Sequence, residues 1–223
     1  CSGDDPAVIL FTSGSENRPK GVPLTHHNIL LNIRGALKAF SFSHRDILYG
    51  FLPPFHSFGF TVSSIAPAVT GLLACHHPNP TEGRRLARGI AKWKPTLLCG
   101  TPTFIKGILR AAPPKQLASM RYFIAGAEKA PDDLFDAVDR LGTGACVLEG
   151  YGITECSPIL TLNRPGDPRG GVGLPLDGVE LCIVNIDSRE PLPPGQQGLV
   201  LARGPNVFNG YLEADVASPF HER

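Results

Sequence analysis

The sequence predicts an α/β domain, layered around a mostly parallel sheet and followed by a smaller, barrel-like antiparallel β unit. Two features predict this. Through residue 150, short apolar runs alternate with helix-period segments, the pattern of strands joined by crossover helices. From about residue 169, Gly170, Gly171, Gly173, Gly178, Gly195, Gly198 and Gly204 separate short apolar runs, and Pro191-Leu192-Pro193-Pro194-Gly195 is a strong turn signal. The expected division is a central α/β unit over 1–168 and the start of an antiparallel β unit over 169–223.

Ala7-Val8-Ile9-Leu10-Phe11 reads as a buried strand over 7–12, and further strands are expected over 47–52, 72–76, 96–99, 121–125 and 145–149. Thr25 is placed to cap a helix over 26–40, where Ile29, Ile33 and Leu37 recur at i, i+4 and i+8. A second helix, over 82–93, follows Thr81, and a third, over 132–141, begins with Pro131 and two aspartates and stops at Gly142. The apolar stretch from Phe58 to Cys75 carries Pro67, Gly71 and several hydroxyls, so it reads as a buried helix leading into a strand rather than a membrane span. In the second unit the apolar runs lie at 179–184 and 198–202.

Composition narrows the possible functions. The 223 residues carry 21 Lys plus Arg against 20 Asp plus Glu, a balance that argues against a nucleic-acid coat or a generally basic membrane surface. The six cysteines, at positions 1, 75, 99, 146, 156 and 182, form neither a C-x-x-C pair nor a compact framework, which suits a reducing cytoplasm. Cys1-Ser2-Gly3-Asp4-Asp5 has no signal-peptide character and reads as a cut inside a longer protein, with a membrane-associated parent left open. Adjacent histidines at 26–27 and 76–77 point in different directions on any regular element, which disfavours a metal site at either pair. Arg84, Arg85, Arg88, Lys92 and Lys94 are the densest basic cluster. This is a solvated helix face or, more sharply, a dock for an acidic protein or an anionic headgroup.

The richest segment is Thr12-Ser13-Gly14-Ser15-Glu16-Asn17-Arg18-Pro19-Lys20-Gly21. Hydroxyls, backbone N–H groups and one ammonium gathered between a strand and a helix suit a polyphosphate. A Walker A loop requires Gly-Lys-Ser/Thr at its end, and Pro19-Lys20-Gly21 fails that template at two positions. The form Thr-Ser-Gly-Ser…Pro-Lys-Gly instead resembles the phosphate loop of the adenylate-forming superfamily, which includes acyl-CoA synthetases, amino-acid adenylation domains and luciferases. Glu16 and Asn17 depart from the commonest version of that loop, which has Thr and Gly there. A second signature, Tyr151-Gly152-Ile153-Thr154-Glu155, follows in the family's order.

The resemblance implies ATP and Mg²⁺ as cofactors and assigns roles. Thr12, Ser13, Gly14, Ser15, Lys20 and Gly21 would cover the β- and γ-phosphates. Tyr151 would stack on adenine, Thr154 would reach the α-phosphate, and Glu155 would hold the metal. Gly126, Ala127 and Glu128 would form the other wall of the adenine slot, with Gly150 and Gly152 flanking Tyr151. Glu149 would face the adenine amino group. In Phe51-Leu52-Pro53-Pro54-Phe55-His56-Ser57-Phe58-Gly59, His56 would shape the channel where acid and thiol meet.

The spelling of Cys99-Gly100-Thr101-Pro102-Thr103-Phe104, Ala125-Gly126-Ala127-Glu128-Lys129, Glu149 to Pro158, and Gly204-Pro205-Asn206-Val207-Phe208-Asn209-Gly210-Tyr211-Leu212 is similar to one branch of the family. That branch is the acyl-acyl carrier protein synthetases, also described as the ligase part of 2-acylglycerophosphoethanolamine acyltransferase. It implies a long-chain fatty acid as substrate and a carrier-protein thiol as acceptor. The alternatives are a fatty acyl-CoA ligase or a nucleotide-binding module without turnover. Family members carry a ribose-binding Asp in a Thr-Gly-Asp motif and a lysine on a C-terminal domain, neither of which is present here. A central fragment, nearly inactive in isolation, is therefore expected.

Overall fold

The computed structural model describes residues 2–13, 19–213, 215–216 and 218–220, with the side chain of Ser13 outside the description. Its centre is a seven-stranded sheet in the order β4-β3-β5-β6-β7-β8-β9. Here β3 is Ile47–Gly50, β4 Leu73–His76, β5 Leu97–Gly100, β6 Tyr122–Ala125, β7 Cys146–Gly152, β8 Ile159–Leu162 and β9 Leu174–Pro175. The five strands from β4 to β7 run parallel, and β8 and β9 add on antiparallel. This is the mixed α/β architecture that the alternation of elements predicts.

The central strands β3, β5 and β6 are apolar because both faces of the sheet are covered there. Tyr49, Leu98, Phe123, Ala125 and Val147 pack with Leu86, Ile90, Ile105, Ile108, Leu134 and Val138. Those partners lie on α3 (Gly83–Trp93), α4 (Pro102–Ala111) and α5 (Asp132–Asp139). The alternate residues Leu48, Leu97, Cys99, Tyr122, Ile124 and Leu148 face the other way, toward Ala36, Ala39, Phe40 and Val62. Ala36 lies on α1 (His26–Lys38), and Val62 on a π-helical turn, Gly59–Ile65, that runs on into α2 (Ala66–Thr70). Thr25 caps α1 as expected, accepting from the Asn28 N–H, while the Asn28 side chain accepts from the Thr25 N–H.

The structure corrects several expectations. The first strand, β1 (Pro6–Ser13), does not join the parallel sheet and is not buried. It pairs antiparallel with β2 (Pro19–Thr25), a strand that Pro19 and Pro23 disguise as loop in the sequence. Only one side of this hairpin is covered: Leu10, Val22 and Leu24 pack on Ile29, Ile33 and Phe208, while Ile9 and Phe11 are exposed. α4 was not expected, although Thr101 as N-cap and Pro102 at the first turn mark its start. β3 stops two residues short of its expected end at 52. β7 overruns its expected end at 149 and carries Gly150, Tyr151 and Gly152 as strand residues, because β8 pairs with them. Further on, β10 (Glu180–Val184) and β11 (Leu199–Arg203) form an antiparallel pair at the two expected apolar runs, whereas β9 completes the large sheet. Among the described residues, no helix is long and apolar enough to cross a membrane.

Candidate functional site

The carboxyl ends of the parallel strands open onto a cavity of about 500 Å³. In an open α/β sheet this is where chain leaves the strands and exposes backbone to ligands. Four successive connections supply the wall. They are Leu52, Pro53 and His56 to Gly59 after β3, Thr101 and Phe104 after β5, Ile124 to Glu128 at the end of β6, and Gly150 to Thr154 at the end of β7. Phe11 of β1, Pro158, Ile159 and Leu162 complete it. Phe11, Leu52, Phe58, Phe104, Ile124, Ile159 and Leu162 make one part of the lining apolar, while His56, Ser57, Thr101, Glu128 and Thr154 bring polar groups to it.

Local constraints hold this rim. Ala127 adopts φ +66°, a left-handed conformation that costs an alanine about 1 kcal/mol, and so turns the chain sharply beneath the cavity. A side chain at Gly152 would run into the Pro158 carbonyl oxygen, so only glycine lets β7 approach the chain entering β8 this closely. The Thr154 hydroxyl lies 3.1 Å from that of Ser57, which is buried. Glu128 accepts a 2.7 Å hydrogen bond from the Thr103 hydroxyl, and the exposed His56 ring lies 4.6 Å from that of Phe55. Tyr151 is 38% exposed, leaving its ring accessible to a flat partner.

A second cluster lies on the hairpin side. Thr154 and Glu155 sit on one short 3₁₀ turn, Thr154–Cys156. Thr154 lines the cavity, whereas Glu155 Oε1 accepts a 2.8 Å hydrogen bond from the Tyr211 hydroxyl. Lys20 Nζ lies 5.2 Å from the centre of the same Tyr211 ring. Burial, reinforced by the Glu155 carboxylate, pushes the Tyr211 phenol up to about 12, so it remains a proton donor at neutral pH. Thr12 pairs with Lys20 across the hairpin, and the Gly21 N–H donates to the Glu213 carboxylate at 2.9 and 3.1 Å.

Of the residues singled out from sequence, His56, Gly126, Ala127, Glu128, Gly150, Tyr151, Gly152 and Thr154 therefore share one cavity. Thr12, Lys20, Gly21 and Glu155 do not line it, but Tyr211 links Lys20 to Glu155, the neighbour of Thr154. Ser13 ends β1, and its side chain, Gly14 and Ser15 lie outside the described residues, as do Glu16 and Asn17. Glu149 is not in the wall. It is 3% exposed, its carboxylate accepts from the Ala130 N–H at 2.8 Å, and its own N–H donates to Asn163 Oδ1. Strand alternation puts Glu149 on the same face as Tyr151, but two residues further back from the carboxyl end of β7, where Ala130 approaches and its N–H takes the carboxylate. Sequence reading missed Phe11, Ser57, Tyr211 and Glu213. Ser57 and Tyr211 lie inside family-like motifs that assign them no role, and no local pattern marks Phe11 or Glu213.

The basic cluster is on α3, away from this wall. Arg84, Arg85, Arg88, Lys92 and Lys94 are exposed, and only Arg85 has a carboxylate partner, Glu82, among the described residues. Those residues also contain no group of three or more His, Cys, Asp or Glu able to hold a metal ion. A cation beside Thr154 would have Glu155 as a carboxylate on the same turn. That donor set fits Mg²⁺, which is usually held by one or two carboxylates with phosphates and water completing its shell.

A cavity lined by apolar side chains with a few polar ones, at the carboxyl ends of parallel strands, defines an α/β ligand-binding site. The chain belongs to the AMP-binding enzyme family, whose model matches residues 1–212. It is 34% identical over 217 residues to the medium-chain fatty-acid–CoA ligase of Escherichia coli K12, covering 95% of this chain and 38% of that protein. To a feruloyl-CoA synthase from an Amycolatopsis species it is 31% identical over 215 residues, covering 93% of this chain and 43% of that protein. ATP-bound MatB from Rhodopseudomonas palustris matches it with a TM-score of 0.85 at 32% identity, over 95% of this chain and 42% of that one. The chain thus spans only about two fifths of the relatives it matches.

Proposed function

We propose that this chain carries the adenylating core of an ATP-dependent acid–thiol ligase acting on fatty acids. The observation that carries the reading is the Tyr211 bridge. It joins Lys20, at the end of the hydroxyl-rich loop, to Glu155, which adjoins Thr154 in the cavity wall. Two segments 135 residues apart, counted from Lys20 to Glu155, are thereby joined next to Thr154 of the cavity wall.

In this reading a carboxylate oxygen attacks the α-phosphorus of ATP, the bond to the bridging oxygen breaks, and pyrophosphate leaves. A thiolate then adds to the acyl carbon and expels AMP. Lys20 offsets charge on the phosphates, and the Thr154 hydroxyl donates to an α-phosphate oxygen. Tyr151 stacks on the adenine, with Gly126 and Ala127 as the opposite wall. Glu155 would hold Mg²⁺, which supplies charge neutralisation on the transferring phosphates. The phenylalanines, Ile124 and Leu162 exclude water around the acyl chain, and His56 bounds the route by which the thiol arrives.

Two acceptors are supported by different observations. The relatives named above include CoA ligases and synthases, which favours coenzyme A. The motif spelling favours an acyl carrier protein, and Arg84 and Arg88 of α3, which have no carboxylate partner among the described residues, would suit its acidic surface. Competition between the two thiols decides, together with acceptor affinity after charge reversal at Arg84 and Arg88. A long chain on the acid, a cytoplasmic location with possible membrane association, and a unit boundary near residue 168 belong to the same proposal.

The test is ATP–pyrophosphate exchange by the intact gene product. Lys20→Ala should lower exchange about 100-fold or more, the scale of losing one charge-stabilising group. Wild-type protein that binds ATP but exchanges no pyrophosphate with any fatty acid would instead indicate a nucleotide-binding module.

A further inference from the structure

We propose that Tyr211 is a positioning residue that holds the Glu155 carboxylate and the Lys20 ammonium apart and oriented, and so sets how much divalent cation the site needs to bind nucleotide. This rests on the reading that the site takes ATP with a metal.

Glu155 and Lys20 carry opposite charges on neighbouring segments, yet among the described residues they form no ion pair; each instead contacts Tyr211, Lys20 at the ring and Glu155 at the hydroxyl. A direct pair would neutralise both groups and occupy the oxygens and protons a ligand needs. With Tyr211 in place, Glu155 gives only Oε1 to the protein, and Oε2 has no partner among the described residues. Lys20 likewise has no carboxylate partner among them, and a π face holds a cation by roughly 0.5–1 kcal/mol at an exposed site, little enough for a phosphate to displace. One phenol thus leaves one carboxylate oxygen and one ammonium available.

The ring is held in place. Gly210, at φ +126°, turns the chain immediately before Tyr211 in a conformation other residues rarely adopt. The ring packs edge-to-face on buried Phe208 with centroids 5.0 Å apart, and the Phe208 N–H donates to the Glu155 carbonyl at 2.9 Å. On the other side, the Leu212 N–H donates to the Gly21 carbonyl at 3.0 Å, and the Gly21 N–H is held by Glu213. The strap from Phe208 to Glu213 therefore ties the 3₁₀ turn bearing Glu155 to the strand bearing Lys20.

The test uses the intact protein, with Tyr211→Phe keeping the ring and Tyr211→Leu removing it. ATP affinity is measured by calorimetry across a MgCl₂ series and in EDTA. Tyr211→Phe should raise the Mg²⁺ concentration for half-maximal ATP affinity roughly 3- to 10-fold, the effect of one lost hydrogen bond, and leave affinity in EDTA unchanged. Tyr211→Leu should weaken binding in EDTA as well, since Lys20 loses its support. In a Glu155→Gln background, Tyr211→Phe should add nothing to the Mg²⁺ midpoint. An unchanged midpoint in Tyr211→Phe, or equal losses with and without metal, overturns the proposal while leaving the ligase reading intact. Wild-type protein that binds no ATP overturns both.

Discussion

Removing one hydroxyl from Ser57 should impair catalysis through a residue it touches. Ser57 is buried, and its hydroxyl lies 3.1 Å from that of Thr154 at the cavity wall. If Ser57 donates, the Thr154 proton is left to point at a phosphate oxygen. Ser57→Ala keeps the backbone and loses only that contact, freeing Thr154 to rotate. A hydrogen bond between neutral groups contributes about 0.5–1.5 kcal/mol net, which corresponds to about a 2- to 12-fold loss in kcat/KM for adenylation. The loss should fall on kcat rather than on the KM for ATP, because the contact orients a group that acts as charge develops on the α-phosphate. Pyrophosphate exchange by the intact protein measures both. Thr154→Val should cost more than Ser57→Ala, and the double variant should be no worse than Thr154→Val alone. A Ser57→Ala enzyme with wild-type kcat, or a double variant whose losses multiply, would refute the reasoning.

Two predictions concern groups outside the cavity. Asp46 is buried at the start of β3. Burial raises its pKa, but hydrogen bonds from Thr96, Arg121 and the Ser43 N–H, with the Arg121 charge, outweigh this and hold the carboxyl below its ordinary value. A depressed folded pKa adds stability above the unfolded pKa of about 3.9 and loses it as pH falls through the folded value. Asp46→Asn should therefore be about 1–2 kcal/mol less stable at pH 7, with Arg121 partly exposed and screened, and the gap in thermal unfolding should narrow at pH 3. An equal gap at both pH values would refute it. Burial also pushes the Cys99 thiol, and burial with the Glu155 charge the Cys156 thiol, up to about 12. Mass spectrometry after treatment with a thiol reagent at pH 8 should find these two unmodified in the native protein and modified once denaturant is added.

Much of the architecture was legible because the local signals were strong. Helix α1 announces itself through Thr25 and the spacing of Ile29 and Ile33, and the doubly covered strands through their unbroken apolar runs. β1 misled for a physical reason. An apolar run records that a segment is hydrophobic, not which sheet it enters, and half of this one stays exposed on a hairpin whose second strand contains Pro19 and Pro23. Glu149 misled because it shares a strand face with Tyr151 but lies two residues further back, where the Ala130 N–H takes its carboxylate.

The chain's own order of residues determined the alternation of elements, the loop chemistry around Lys20 and the aromatic–hydroxyl–carboxylate series at 151–155. Those are local properties, written in side-chain type and spacing. Only the tertiary structure decided that Lys20 meets Glu155 through Tyr211, that Ser57 holds Thr154, and that Glu149 faces inward. These contacts join residues far apart in the chain, and their energies depend on burial and distance, which no linear spacing encodes.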